Sequence, residues 1–503
     1  MILRIGSLDA HPDVLAEASE SSGATSADVR ETIGGDLPVA QPITYLLRHP
    51  QLRKLPAHRG LPSTVRQGGL APAEAPAARI APVASTAMRA GQRDLEIVLY
   101  GASGFVGKLT AEYLAKAAPG IRVALAGRSA ERLEAVKQTL GASAHDWPLI
   151  AADVSDPAAL NATAARTRVL LSTIGPYSRF GLPLVAACAA AGTDYADLTG
   201  EVPFVRNSID LYHKRAVDND VRIVHSCGFD SIPSDLNVYA LHRRVVEDDA
   251  GELGDTTFVL RTYSGGSSRG TFTTMLELMR LGSKDSEMRR LFDDPYSLSP
   301  NRSAEPELGP QPDLPLRSGA EIAPELTGLW TGGYLMALYN TRCVRRSNAL
   351  LNWAYGRRLR YTETMSMGSS FAAPVMAAMA NAGIAGAARF GGRYLQLLPR
   401  GLVDSISPPP GIGHTEGSRG YYKIETYTTT TSGARYVATI TQHADPGFSA
   451  SAVMLGESAL TLAFQRDRLT DRRGVLTPVA AMGDALLERL PAAGLTINTA
   501  RLN

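Results

Sequence analysis

Leu95-Glu-Ile-Val-Leu-Tyr-Gly-Ala-Ser-Gly-Phe-Val-Gly107 is the stretch from which the fold is read. Ile97 to Tyr100 is a short, apolar, β-prone run, as expected of a central parallel strand buried on both faces. Gly101, Gly104 and Gly107 follow it, and Lys108 to Ala117 is helix-prone. In a strand–turn–helix unit of this spacing the first glycine permits the tight turn. The second lets the backbone approach a pyrophosphate, and the third lets the helix pack on the strand. The phosphates then meet the positive end of the helix. Gly101, Ser103, Gly104, Phe105, Val106 and Gly107 are therefore expected to cradle a dinucleotide, which points to redox chemistry. The rival reading is a glycine turn with a structural role only.

The next strand, Arg122 to Gly127, ends in Arg128-Ser129, where an NAD-binding chain would carry an acid for the ribose hydroxyls. A guanidinium binds phosphate bidentately and favours the 2′-phosphate of NADP(H). Arg128 and Ser129 are assigned to that group, the alternative being an arginine that caps a surface strand. Asp153, at the end of the strand Leu149 to Asp153, is placed on the adenine side, with a turn-forming aspartate as the equal alternative. Ligands of parallel sheets bind at the carboxyl ends of the strands. Gly175-Pro176-Tyr177, after the strand Val169 to Ile174, thus belongs beside the nicotinamide. The polar strand end Asp194 to Glu201 and the run Cys227 to Asp235 belong to the same crevice.

Strands and helices alternate from Leu95 to about Asn237, the signature of a doubly wound α/β Rossmann sheet with six parallel strands. Beyond it, longer strands with helices between them predict a second, α+β substrate domain. A strand Thr257 to Tyr263, a loop to Gly270, a helix Thr271 to Leu281 and a hairpin of Tyr421–Thr430 with Ala434–His443 stand out there. Ser297 to Pro324 is Pro-rich and reads as a surface excursion. The expected divisions are an extension at 1–93, a coenzyme domain at 94–236, a substrate domain at 237–470 and a C-terminal helical segment at 471–503 that packs back on the first domain. The extension is rich in Pro, Ala, Ser and Arg without periodicity and reads as disordered, and Met88 is an expected alternative start of translation.

Over 503 residues the net charge is +2, which gives no reason to expect nucleic-acid binding. Three separated cysteines, Cys188, Cys227 and Cys343, imply neither a disulfide framework nor a metal cluster and suit a reducing cytoplasm. None of the 18 tyrosines is followed four positions later by lysine, which excludes the short-chain dehydrogenase dyad. Ala372 to Ala388 is apolar apart from Asn381, yet shorter than the roughly 20 residues that span a bilayer. It reads as a buried or interfacial helix, with possible membrane-surface contact at the inner face of the plasma membrane through 372–393.

With these turns in place, the chain resembles the saccharopine dehydrogenase-like oxidoreductases, through Gly101–Gly107, Ala126–Ser129, Gly175–Tyr177, Asp194–Glu201 and Gly228–Asp235. More closely it resembles the trans-acting enoyl reductases that serve polyketide synthases, through Trp330–Tyr334, Arg345–Ala349, Trp353–Arg358 and Glu425–Thr431 as well. The resemblance covers residues from about 94 to 503. It implies NADPH as donor and reduction of the C2–C3 double bond of a lipidic enoyl chain in phthiocerol- and phenolphthiocerol-type lipid assembly. In such a reaction Tyr177 is the first candidate donor to the developing enolate, the alternative being a core tyrosine with a satisfied hydroxyl. Asp197, Glu201 and Asp230 are the second candidates, the alternative being carboxylates that organise loops. Two other functions compete: a saccharopine-type amino-acid dehydrogenase and a non-catalytic NADP-binding scaffold of a synthase. Arg342, Arg345, Arg346, Arg357, Arg358 and Arg360 are a candidate docking face for an acidic acyl-carrier domain of the synthase, or else a solvated face.

Overall fold

The computed structural model describes residues 93–265, 274, 285–397 and 420–503, and within 389–397 the backbone alone. The expectations for residues 1–92, for the loop and helix over 266–284 and for the side chains of Arg389 and Arg393 lie outside the described residues.

The first sheet is built from β1 (Leu95–Tyr100), β2 (Val123–Gly127), β3 (Leu149–Ala151), β4 (Thr167–Ser172), β5 (Asp194–Asp197) and β6 (Arg222–Val224). A seventh strand, β13 (Gly474–Leu476), joins it from late in the chain. The order is β13-β6-β5-β4-β1-β2-β3, and every pairing is parallel. Alternation along β1 shows why such strands read as continuous apolar runs. Ile97 and Leu99 enter one core with Leu114 of α1 (Phe105–Ala117) and Leu133 of α2 (Ala130–Thr139). Val98 and Tyr100 enter another with Leu160 of α3 (Pro157–Ala165), Leu184 of α4 (Tyr177–Ala191) and Phe204 of α5 (Val202–Asp218). Both faces are covered, so both sets of side chains must be apolar. The doubly wound sheet is as expected, with seven strands in place of six. Three residues of β13 are too few to show a period of their own.

The second sheet runs β14-β12-β11-β7-β10-β9-β8. Its strands are β7 (Leu253–Ser264), β8 (Arg317–Ser318), β9 (Trp330–Gly333), β10 (Arg360–Gly368), β11 (Tyr421–Thr430), β12 (Arg435–Gln442) and β14 (Thr496–Arg501). Only β7 and β10 are parallel. The hairpin β11–β12 is as read from the sequence. Phe258, Tyr422 and Ile440 of this sheet share the first core with Leu236 of α6 (Ile232–Glu247), so α6 lies between the two sheets.

Helices α7 (Ser286–Asp293), α8 (Ala337–Leu350) and α9 (Ala373–Leu397) belong to this half of the chain. From Ser451 the chain returns: α10 (Ser451–Phe464) and α11 (Pro478–Arg489) put Met454, Leu460, Val479 and Leu486 into the core that holds β1. Pro446–Phe464 is long and apolar enough to cross a membrane, but 78% of it is buried inside the protein, as in a core helix. Arg93, placed by the sequence reading in the extension, is tied to the first sheet: its guanidinium donates to Thr193 Oγ1 at 2.9 Å and to the Gly192 carbonyl at 2.7 Å.

Three expectations are corrected. Tyr177, read with Gly175-Pro176 as part of a turn, already begins α4, which carries Pro183 inside it. Gly181 and Pro183 argue against helix by propensity. The glycine is required because a Cβ there would lie 2.5 Å from the Phe204 ring. Second, Arg342, Arg345 and Arg346 are no docking face, being at most 2% exposed. They donate to Asp313 and to the carbonyls of Phe292, Pro295, Tyr361, Leu298 and Val475. Arg357, Arg358 and Arg360 remain exposed. Third, the Pro-rich stretch runs over the surface as read from the sequence, but it is anchored. Its buried Leu298 is held by Arg346, and its Asp313 accepts from Thr341 at 2.7 Å and Arg342 at 2.8 Å.

Candidate active site

The loops after β1, β4, β5 and β6 open at one edge of the first sheet. There they line a cavity of about 580 Å³ that also reaches α7, α8, α9 and the Gln311–Asp313 stretch. At its coenzyme end stand Val106, Thr173 and Gly175; at the other, Phe292, Leu335, Met336, Leu338, Ala385 and Ala388 form an apolar wall.

The glycine turn has the geometry its sequence demands. Gly101 sits at φ +91°, and a Cβ there would come within 2.7 Å of Ile174 and Thr173. A Cβ at Gly107 would lie 2.2 Å from the Gly101 carbonyl oxygen. Gly104 precedes α1, whose first turn has neither a side-chain cap nor an acid, so the positive helix end faces the turn with no side-chain anion against it. Ser103 and Val106 lie on that turn, and Phe105 packs its ring edge-on against Phe448 at 4.8 Å. A dinucleotide pyrophosphate fits this cradle.

Arg128 is exposed at the end of β2, and no ion pair holds it among the described residues. Ser129 caps α2, accepting from Arg132 N at 3.3 Å. Asp153 accepts from Ser155 N at 2.9 Å and Ser155 Oγ at 2.6 Å, which keeps its carboxyl below the usual range, so it turns the chain.

Gly175 and Pro176 are joined by a cis peptide bond at the start of α4. Tyr177 is buried, and its hydroxyl donates to the Ser172 carbonyl at 2.9 Å while accepting from Leu198 N at 3.2 Å. That is the core-tyrosine alternative: the hydroxyl proton is already committed. Glu201 accepts from Tyr177 N at 2.7 Å and Ser178 N at 2.8 Å, anchoring the first turn of α4. Burial pushes its carboxyl up, against the Ser178 hydroxyl and these amides. Asp197 is fully buried; it accepts from Ser226 N at 3.0 Å and Thr199 N at 3.1 Å and lies 2.8 Å from His225 Nδ1. It organises the ends of β5 and β6.

Asp230 differs from all of these. Like Tyr177 and Glu201 it lines the cavity, but its carboxylate accepts no hydrogen bond among the described residues, and burial pushes its carboxyl up to about 6. Its neighbour Asp235, also pushed up to about 6, accepts from Val479 N at 3.0 Å and from Ser347, which marks it as an anchor. Beneath Asp230, the Asn340 amide donates to the Asp230 carbonyl at 2.7 Å and to Glu363 at 3.0 Å. Burial pushes Glu363 up to about 7.

Sequence reasoning missed Tyr339, Asn340, Met336 and Glu363. They come from the second half of the chain and carry no local motif; only packing brings them to the crevice. Among the described residues no group of three or more His, Cys, Asp or Glu side chains is placed to hold a metal ion.

The Saccharopine dehydrogenase NADP binding domain family matches residues 97–224. A Mycobacterium tuberculosis protein named among the trans-acting enoyl reductases is 62% identical over 419 residues, covering 82% of this chain and 100% of that protein. Trans-acting enoyl reductases of Mycobacterium bovis and Mycobacterium ulcerans are 58% and 56% identical over 419 residues, each covering 83% of this chain and 100% of the relative. Among solved structures, the apo saccharopine dehydrogenase (L-Glu forming) of Saccharomyces cerevisiae matches with a TM-score of 0.47 at 16% identity, covering 81% of this chain and 100% of that one.

Proposed function

Because the chain belongs to the trans-acting enoyl reductase family, we propose that it is an NADPH-dependent reductase of the C2–C3 double bond of polyketide-type enoyl thioesters. The observation that carries this reading is the cavity that joins the glycine turn to an apolar wall and holds a buried carboxyl, Asp230, that accepts no hydrogen bond among the described residues.

Gly101, Gly104 and Gly107 with the backbone of Ser103 to Val106 would hold the pyrophosphate, Arg128 and Ser129 the 2′-phosphate, and Gly175-Pro176 the nicotinamide side, while Asp153 turns the chain beside them. When bound, NADPH supplies a hydride to the β-carbon of the enoyl thioester and is oxidised to NADP⁺, which leaves negative charge spread over the α-carbon and the thioester oxygen. Asp230, in its neutral form, gives a proton to the α-carbon. Tyr177, Asp197 and Glu201 act behind this as positioning residues: they hold the ends of β4, β5 and β6 that shape the crevice. The apolar wall takes the acyl chain. The partner is a polyketide synthase presenting the substrate on its acyl-carrier domain, in phthiocerol-type lipid assembly. Exposed Arg357, Arg358 and Arg360 offer that acidic domain a basic face.

The deciding experiment follows NADPH absorbance with a panel of 2-enoyl thioesters and, as contrast, saccharopine-type imines. Oxidation with the thioesters alone is expected. Oxidation with the imines alone overturns the reading in favour of an amino-acid dehydrogenase. Arg128→Ala is expected to weaken NADPH by roughly 10- to 100-fold, the scale of a lost charged hydrogen bond, with NADH affinity unchanged. Equal losses for both coenzymes, measured by fluorescence titration, would remove Arg128 from the 2′-phosphate site.

A further inference from the structure

We propose that Ser226 and Tyr339 form one hydrogen-bond donor for the thioester oxygen of the substrate, an inference that rests on the reductase reading above.

Three observations converge on this pair. Both residues line the cavity although they are only 1% and 4% exposed. Ser226 Oγ and the Tyr339 hydroxyl are hydrogen-bonded to each other across the boundary between the two halves of the chain. Two hydroxyls carry two protons, and their mutual bond uses one. Among the described residues no further acceptor takes the other, so it is available to a group in the cavity.

The backbone supports the assignment. Ser226 sits at φ +68°, a strained conformation for a non-glycine residue that persists where the surroundings impose it and is typical of functional sites. It is over-determined from behind: Asp197 accepts its N–H at 3.0 Å, and His225 lies between Asp197 and Ser208, 2.8 Å from each. That buried chain of side chains does not reach the cavity and has no access to substrate. It aims Ser226. Tyr339 is the third residue of α8, and its neighbour Asn340 holds the Asp230 carbonyl at 2.7 Å. The hydroxyl pair and the unpartnered carboxyl are therefore tied to one another through adjacent residues.

The chemistry balances without proton transfer from the pair. As hydride adds at the β-carbon, the C2–C3 electron pair moves onto the thioester oxygen; it returns when the α-carbon takes its proton from Asp230. Throughout, the hydroxyl pair donates a hydrogen bond to that oxygen and keeps its proton. A donor placed where charge develops is worth 100- to 1,000-fold in rate.

Tyr339→Phe is expected to lower kcat with an enoyl thioester by about 100-fold and to leave NADPH affinity unchanged. Ser226→Gly, which relieves the backbone while removing the hydroxyl, keeps the fold and lowers kcat similarly. The double variant falls no more than about threefold below the worse single one, because the two act as a unit. The readout independent of turnover is an acetoacetyl thioester, whose enolate absorbs in the near ultraviolet. Bound to the wild type its balance shifts toward the enolate, and bound to Tyr339→Phe it does not. A wild type that reduces enoyl thioesters while either single variant keeps kcat within threefold, or while bound acetoacetyl thioester stays in the ketone form, overturns the donor and spares the reductase. No turnover of any enoyl thioester by the wild type overturns the reductase reading and this inference with it.

Discussion

Asp230→Asn is expected to lower turnover of an enoyl thioester by roughly 100- to 10,000-fold, the range of a positioned general acid, while NADPH still binds. The reason is the state of its carboxyl. Burial, with no hydrogen bond among the described residues to hold the charge, pushes Asp230 up to about 6. The acid form is the one that donates, so wild-type kcat should fall about tenfold for each pH unit above 6, and the slope should vanish in the variant. A pH–rate profile measured at saturating NADPH checks this. A profile of unchanged shape in Asp230→Asn would assign the slope to another group and Asp230 to the cavity wall.

The same shift makes a stability prediction of definite sign. Below the unfolded value of 3.8 the carboxyl is protonated in both states and costs nothing. Between 3.8 and about 6 the folded chain holds the proton more tightly, so stability falls as pH rises; above about 6 the full cost is present. A shift of that size corresponds to at most about 3 kcal/mol. Asp230→Asn should therefore unfold at a higher temperature than the wild type at pH 8, with the difference shrinking toward pH 4. A residue that weakens the fold and is retained in a cavity fits a site role better than a structural one.

The second large effect is expected at the glycine turn. Gly107→Ala should destabilise the chain by about 3 kcal/mol and weaken NADPH by roughly 100-fold or more. Its Cβ would stand 2.2 Å from the Gly101 carbonyl oxygen and 2.9 Å from Ala102 Cα, both backbone atoms of the turn that must then move. Gly120→Ala is the control: φ is +87° there, but nothing lies within 4 Å of the added Cβ. That variant should cost about 1 kcal/mol of backbone strain and leave NADPH affinity alone. Thermal unfolding and fluorescence titration of both variants decide it; coenzyme losses of equal size would mean that the turn's close packing is not what holds the phosphates.

What the sequence by itself determined is local. A strand buried on both faces must be apolar there, so the run Ile97 to Tyr100 announces itself. The close approaches of the turn to its own helix need glycine, so Gly101, Gly104 and Gly107 do as well, and the doubly wound sheet follows from the alternation of strands and helices after them. The hairpin of β11 and β12 is legible for the same reason, because pattern and turn lie within one short segment.

The tertiary structure decided what distant segments do to one another. Tyr177 and Asp230 both follow strands that end at the crevice, and the sequence puts Tyr177 first as the donor. Tyr177 has its hydroxyl taken by Ser172 and Leu198, and Asp230 has a carboxyl with no hydrogen-bond partner among the described residues, with Asn340 bound to its carbonyl and its side chain left to the cavity. Three arginines of α8 look like a surface patch in a list of residues. They are buried because backbone carbonyls of the 292–298 stretch need donors, and α8 brings three guanidinium groups to those of Phe292, Pro295 and Leu298. Tyr339 reaches Ser226 only because α8, some hundred residues later in the chain, packs against the end of β6. Burial and hydrogen-bond partnership are sums over neighbours that no sequence window contains, and they are what separate a reacting group from one that holds the fold.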